Sequence, residues 1–292
     1  MKYKMKYNCL IFYNLDNFDG KTIKEFFDFY NINKKKAIKL LNKSILVNDK
    51  IVKYDFTLNK KDIIKVNLEE FIDVEVSNTK ASVVYEDDFV LIVNKKSGYL
   101  VHDDNATDKL VLSKDVAKYY HDTNQSHLIR PIHRLDEDTS GLVFFCKCSF
   151  FQAYFDKALQ NKKISRKYLA IVFGNIKVNK SIVVSEPIGR NRHESNKMII
   201  SKSGKYAKTE FKVLKSSDQY SLIHCCLDTG RRHQIRIHLA HLGYPIVNDK
   251  LYGKKTSDFK KMGLYAFELE WIDPVTQEKK SVKSDLNNIE MF

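Results

Sequence analysis

Val83-Val-Tyr-Glu-Asp-Asp-Phe-Val-Leu-Ile-Val-Asn-Lys95 places a tight acidic turn ahead of a strand dense in β-branched residues, a composition suited to a pleated, buried surface. Working outward, similar apolar runs predict strands at 167–173, 207–214 and 220–227. Helical spacing appears at 110–120 (Leu112, Val116, Tyr119) and at 149–161 (Phe151, Tyr154, Phe155, Ala158, Leu159), the latter behind Ser149 as a candidate N-cap. A further helix is expected at 232–242, ending at Gly243 with Pro245 just beyond. Strands outnumber helices and do not alternate with them regularly. The expected fold class is therefore α+β, with a largely antiparallel or mixed central sheet flanked by helices and loops.

Nine of the ten glycines and all four prolines lie beyond residue 80, so the chain divides into a glycine-poor start and a larger part that carries the turns. In the first part, Ile23, Phe26, Phe27 and Tyr30 form the apolar stripe of a short amphipathic helix. A second helix carries Lys34, Lys35, Lys36, Lys39 and Lys43 around Ala37, Ile38 and Leu41. Ile45-Leu-Val-Asn-Asp-Lys-Ile-Val52 has the pattern of a hairpin, and a strand is expected at 63–66. Residues 68–79 show no period and are expected to link a small α/β domain, 1–72, to a larger one, 73–292.

A chain of 292 residues with 43% hydrophobic content can bury a sizeable core. Its formal charge of +14 favours a polyanionic partner such as nucleic acid, although solubility or an anionic membrane surface would also use it. No apolar stretch has the length of a membrane span, and the first ten residues lack a signal-peptide core, which points to the cytoplasm. The five cysteines, Cys9, Cys146, Cys148, Cys225 and Cys226, form no C-x-x-C pair and suit a reducing compartment. His238 and His241 have no acidic or cysteine neighbours in sequence, so no metal and no cofactor are expected.

Two segments carry chemistry. In Pro131-Ile-His-Arg-Leu-Asp-Glu-Asp-Thr-Ser-Gly-Leu-Val-Phe-Phe145 a His-Arg pair, three carboxylates and a Thr-Ser-Gly turn precede an apolar strand. A charged loop anchored on rigid structure is where sites are found, though an acidic surface turn has the same composition. In Asp228-Thr-Gly-Arg-Arg-His-Gln-Ile-Arg-Ile-His238, Arg232 and Arg236 fall four apart near a helix N-terminus, where cations oppose the helix dipole. Phosphate binding or pairing with a buried carboxylate would offset that cost.

These segments resemble the RluA-type pseudouridine synthases. The likeness runs in order from Val84 through His133-Arg-Leu-Asp-Glu-Asp-Thr-Ser-Gly141, Lys167-Tyr168, Glu186-Pro-Ile-Gly189, Gly204-Lys-Tyr-Ala-Lys-Thr209 and Thr229-Gly-Arg-Arg-His-Gln-Ile-Arg236 to Asp249-Lys-Leu-Tyr-Gly253. The resemblance implies that Asp136 is the catalytic aspartate, Tyr168 the active-site tyrosine and Arg236 the basic partner of the aspartate. It also implies that Arg134 enters the RNA where the target base has left, with His133 and Arg232 among the RNA contacts. Lys96, Arg232 and Asn248 stand where the family usually has proline, threonine or serine, and glycine.

Residues 10–68 resemble the S-four-type RNA-binding domain that such enzymes commonly carry, which makes Lys34, Lys35, Lys36 and Lys39 candidate phosphate contacts. There the family usually has Ser-Arg at the helix start and Asn-Gly in the turn; this chain has Asn33-Lys34 and Asn48-Asp49. A solvated lysine face is the other account of that run.

The implied activity is isomerisation of uridine to pseudouridine, first in large-subunit ribosomal RNA and second in transfer RNA, by a monomer without membrane or protein partner. One carboxylate would act as nucleophile on the sugar or as base at its 2′ position. Tyr168 would stack on the base, help remove the C5 proton, or both. A non-catalytic RNA-binding or ribosome-assembly protein is the alternative, but it has no need of Asp136, Tyr168 and Arg236 together.

Overall fold

The computed structural model describes residues 1–68, 70–103 and 109–285. The N-terminal unit comprises β1 (Lys2–Lys6), β2 (Cys9–Tyr13), α1 (Ile23–Phe29), α2 (Lys34–Lys43), β3 (Ile45–Val47) and β4 (Ile64–Asn67). Its strands form an antiparallel sheet in the order β1-β2-β4-β3. Both helices begin on residues that satisfy their first N–H groups. Thr22 and Glu25 make a capping box, and Asn33 Oδ1 accepts from the Lys36 N–H at 3.0 Å. Ile38 is 39% exposed, so the buried seam of α2 is Ala37 and Leu41 without it.

The turn expected in residues 45–52 is present. Asn48 and Asp49 have φ of 51° and 63°, and Val47 and Lys50 exchange backbone hydrogen bonds, as in a type I′ turn. The chain then leaves the sheet, and the partner of β3 is β4, with Ile45 opposite Val66 and Val47 opposite Ile64.

The larger unit comprises β5 (Val83–Glu86), β6 (Val90–Lys95), α3 (Leu112–Asp122), β7 (Arg130–Pro131), β8 (Ser140–Cys146), α4 (Gln152–Gln160), β9 (Ser165–Phe173), β10 (Ser181–Val184), β11 (Ile188–Arg190), β12 (Met198–Ile200), β13 (Thr209–Ser216), β14 (Tyr220–Leu227), α5 (Gln234–His241), β15 (Leu264–Ile272) and β16 (Lys279–Lys283). The main sheet runs β10-β13-β14-β9-β15-β8-β6-β5, with β16 on β15 and β7 on β8. Its pairings are antiparallel except that of β15 with β8, where Tyr265 faces Ser140 and Ala266 faces Gly141. The fold is thus α+β with a mixed sheet.

Strand alternation sends side chains to two cores. Val90, Ile92, Leu142 and Phe144 point to the face covered by α4 and the N-terminal unit; Leu91, Val93, Val143 and Phe145 point to the face covered by α3 and α5. The first core is continuous across both units. Phe12 packs near Phe150 (centroids 5.9 Å apart), Tyr30 edge-on against Phe151 (5.2 Å) and Tyr3 against Phe89 (4.7 Å). Glu70 and Asp73, within the expected link, are also tied down. Glu70 is buried and accepts from the Leu128 and Ser149 N–H groups, and Asp73 accepts from the Ile129 N–H and pairs with Arg130. The Ser149 N–H is thereby used, and Ser149 is not the N-cap of α4, which follows a 3-10 turn at Ser149–Phe151.

Candidate active site

Asp136 lies on the loop between β7 and β8, on the α5 side of the sheet. The loop is held from below by groups that the sequence did not single out. Lys95, buried at the end of β6, donates its three ammonium protons to the carbonyls of Lys96 (3.1 Å), Tyr99 (2.8 Å) and Glu137 (2.8 Å). Burial pushes Lys95 down to about 7, against the pull of the Asp136, Asp138 and Glu137 carboxylates. The Gly98 N–H donates to Glu137 O, and Ser97 Oγ donates to Asp138 O. Gly141 ends the loop with φ of 115°, and a Cβ there would meet Ala266 O at 2.2 Å. The parallel seam of β8 and β15 thus requires glycine.

His133, expected among the RNA contacts, is buried. Its Nε2 accepts from the Phe144 N–H at 3.3 Å, so it pins the loop to β8 and presents no edge to a ligand. Burial, reinforced by Arg166, pushes it down to about 3, and it is neutral at pH 7.

The helix expected from residue 232 begins at Gln234, because His233 takes a left-handed backbone (φ 57°, ψ 19°). Arg232 therefore precedes the helix and is exposed, whereas Arg236 lies within it and is buried; the two do not share a helix face. Gln234 closes the preceding turn. Its Oε1 accepts from Thr229 Oγ1 and the Arg231 N–H, and its Nε2 donates to Lys208 O and Thr209 Oγ1. Thr209 Oγ1 also meets His238 Nδ1 at 2.8 Å, and His238 Nε2 meets Glu186 O at 3.1 Å. Three motifs far apart in sequence thus form one hydrogen-bonded network around the start of α5.

Arg236 reaches two carboxylates. Nε and Nη2 each lie 2.7 Å from an oxygen of Asp249, and Nη1 lies 3.2 Å from Asp136 Oδ2. Asp249 also accepts from the Leu251 and Tyr252 N–H groups. Burial raises its pKa, but the Arg236 guanidinium and these N–H groups outweigh that and hold the carboxyl below its usual range. Oδ1 of Asp136 accepts no hydrogen bond among the described residues. Tyr168, on β9, is 5% exposed, and burial raises its phenol above the ordinary value.

Asp136, Tyr168 and Arg236 line one cleft of about 380 Å³. Arg134, Arg166, Arg231, Arg232 and Arg236 line it, and Asp136 is the one carboxylate residue among the lining residues. Arg134 and Arg166 make no hydrogen bond to acceptors across the cleft among the described residues. Arg166 has its place because residue 230 is glycine, where a Cβ would stand 2.9 Å from its Nη2. Lys34, Lys35, Lys36 and Lys39 are exposed on α2, away from this cleft. Among the described residues no three His, Cys, Asp or Glu side chains are grouped as a metal would need, and no helix is long and apolar enough to cross a membrane.

Residues 89–241 match the family described as RNA pseudouridylate synthase. The chain is 33% identical over 237 residues to an uncharacterized RNA pseudouridine synthase, YhcT, of Bacillus subtilis, covering 78% of each. It is 34% identical over 235 residues to the ribosomal large subunit pseudouridine synthase D of Buchnera aphidicola subsp. Baizongia pistaciae, covering 78% of this chain and 73% of that one. Among solved structures, human RNA pseudouridylate synthase domain containing 1 superposes with a TM-score of 0.60 at 27% identity, over 73% of this chain and 86% of that chain.

Proposed function

The chain belongs to the RNA pseudouridylate synthase family and is an RNA-modifying isomerase, and from that premise we propose that it converts uridines of large-subunit ribosomal RNA to pseudouridine with Asp136 as its catalytic carboxylate. The observation that carries the site assignment is the cleft itself. Five arginines line it with a single carboxylate residue, Asp136, which Arg236 holds through one oxygen. An ion-pair network built only for stability would place carboxylates opposite those cations; an RNA strand brings its own phosphates.

Isomerisation breaks the bond from ribose to N1, turns the base, and rejoins it through C5. Arg236 holds the carboxylate by a charge-assisted hydrogen bond at Oδ2. It occupies Oδ2, which leaves Oδ1 for attack on the sugar or for removal of a 2′ proton. The Tyr168 phenol stays protonated at neutral pH, which favours a role for its ring against the uracil over proton abstraction by a phenolate. Arg134 is exposed at the cleft rim, in position to fill the space of a base turned out of its stack. Arg232 and Arg166 supply contacts to the flanking backbone.

Ribosomal RNA is favoured by the relatives whose names specify the large ribosomal subunit. Pseudouridine mapping of total RNA from a strain lacking the gene, against its parent, is expected to show sites missing from large-subunit RNA. Sites missing from transfer RNA alone would overturn that substrate. In vitro, Asp136→Asn is expected to release no tritium from RNA labelled at uridine C5 while binding RNA nearly as well as the parent. Tritium release by that variant would overturn the assignment of Asp136.

A further inference from the structure

His233 occupies a left-handed backbone conformation, uncommon among non-glycine residues, immediately before α5. Its ring, 8% exposed, lies between a phenol and the carboxylate of Asp136. Nδ1 is 2.9 Å from Tyr252 Oη, and Nε2 is 3.9 Å from Asp136 Oδ2. Burial lowers His233 to about 4; Asp136 and Asp249 pull the other way, and Arg236 and Arg232 add to the depression. The ring is therefore neutral at pH 7 and has one N–H to place.

Tyr252 decides which nitrogen carries it. The Tyr252 oxygen accepts from the Met198 N–H at 2.8 Å. Its own proton has two possible acceptors, the Met198 carbonyl at 3.3 Å and His233 Nδ1 at 2.9 Å. The shorter contact is to Nδ1. The opposite arrangement would also turn the lone pair of Nε2 toward a carboxylate, an unfavourable approach of like charge density. Both considerations put the hydrogen on Nε2.

We infer that His233 is a positioning residue for the isomerisation, fixed by Tyr252 as the Nε2–H tautomer so that a neutral donor and the Arg236 guanidinium share Oδ2 of Asp136 and keep Oδ1 for the ribose. The inference rests on Asp136 being the catalytic carboxylate. At 3.9 Å the N–H does not yet bond to Oδ2, and the contact closes when RNA enters and excludes water. A left-handed residue at the helix start sets the ring between its two partners, a direction a helical backbone at 233 would not give. Tyr252 is in turn fixed by the Met198 backbone of β12, so the arm formed by β11 and β12 reaches the catalytic carboxylate through Tyr252 and His233.

The test uses the full chain with 15N-labelled histidine and no RNA, the His233 signal being identified by its loss in His233→Asn, a residue that accepts the left-handed backbone. Nitrogen shifts are expected to show a neutral Nε2–H ring from pH 8 to 5.5, and a tautomer mixture in Tyr252→Phe. With RNA, kcat is expected to fall about 10-fold in His233→Asn and about 3-fold in Tyr252→Phe, with KM held within about twofold. Tyr252→Phe leaves the cap residue in place and carries the kinetic test if His233→Asn does not fold. An Nδ1–H or doubly protonated ring at pH 7 would overturn the inference. So would an unchanged kcat in both variants alongside an inactive Asp136→Asn, which would leave Asp136 as the catalytic group. Activity in Asp136→Asn would instead remove the premise, whatever the tautomer.

Discussion

Arg236 gives its two-nitrogen edge to Asp249, both contacts at 2.7 Å, and only its remaining nitrogen to Asp136 at 3.2 Å. The stronger pair is therefore the structural one, and its second partner is the residue proposed to do chemistry. A guanidinium clamped by one carboxylate keeps its remaining nitrogen at a fixed place, so no reorganisation is needed as Asp136 gives up its charge in the reaction.

Asp249→Ala should lose about 3–5 kcal/mol in urea unfolding, since removing one partner strands a buried charge. Activity should fall with it, because Arg236 loses the clamp that aims it. Stability within about 1 kcal/mol of the parent would show that the pair contributes little to the fold.

Stability should also fall with acid. His133 is pushed down to about 3 in the folded protein, so between the ordinary histidine value and that point the unfolded chain binds a proton that the folded one does not. The stabilisation is complete above the unfolded pKa and is lost as pH falls through this window, at up to about 1.4 kcal/mol per pH unit for one proton. Urea titrations at a series of pH values should show the slope, and His133→Gln should reduce it. An unchanged slope in that variant would assign the acid sensitivity to other groups.

The N-terminal unit is proposed as an RNA grip. Deleting it would uncover Phe89, Phe150 and Phe151, which pack on Tyr3, Phe12 and Tyr30. Charge neutralisation is the cleaner test. Replacing Lys34, Lys35, Lys36 and Lys39 by Gln keeps helix propensity. It should weaken RNA binding and reduce the salt slope by up to about 3.6, at roughly 0.7–0.9 per lost phosphate contact. An unchanged slope would make these lysines an ordinary solvated face.

Arg166→Gln should weaken RNA binding by about 1–3 kcal/mol at low salt while leaving unfolding unchanged, because its guanidinium has no hydrogen-bond acceptor to lose among the described residues. Gly230→Ala should mimic it in part by displacing the same side chain, whose Nη2 lies 2.9 Å from the added Cβ. Equal affinity in both variants would remove Arg166 from the RNA interface.

Local chemistry was legible in the sequence. The stripe of Ile23, Phe26, Phe27 and Tyr30 marks α1 because one face of a helix must be buried, and β6, β8, β9 and β14 show as apolar runs because strands buried on both faces need them. The ordered motifs located Asp136, Tyr168 and Arg236, which line one cleft. What sequence spacing did not show depends on groups far apart along the chain. Asp249 outranks Asp136 as the partner of Arg236 because of where the segment after α5 returns, and Lys95 holds the Asp136 loop through carbonyls, which leave no trace in residue type. His133 and Arg232 differ in burial although both neighbour a motif arginine, because one faces β8 and the other precedes a helix displaced by a left-handed His233. Side-chain identity fixes what a group can donate, accept or bury; only the packed chain determines what stands opposite it.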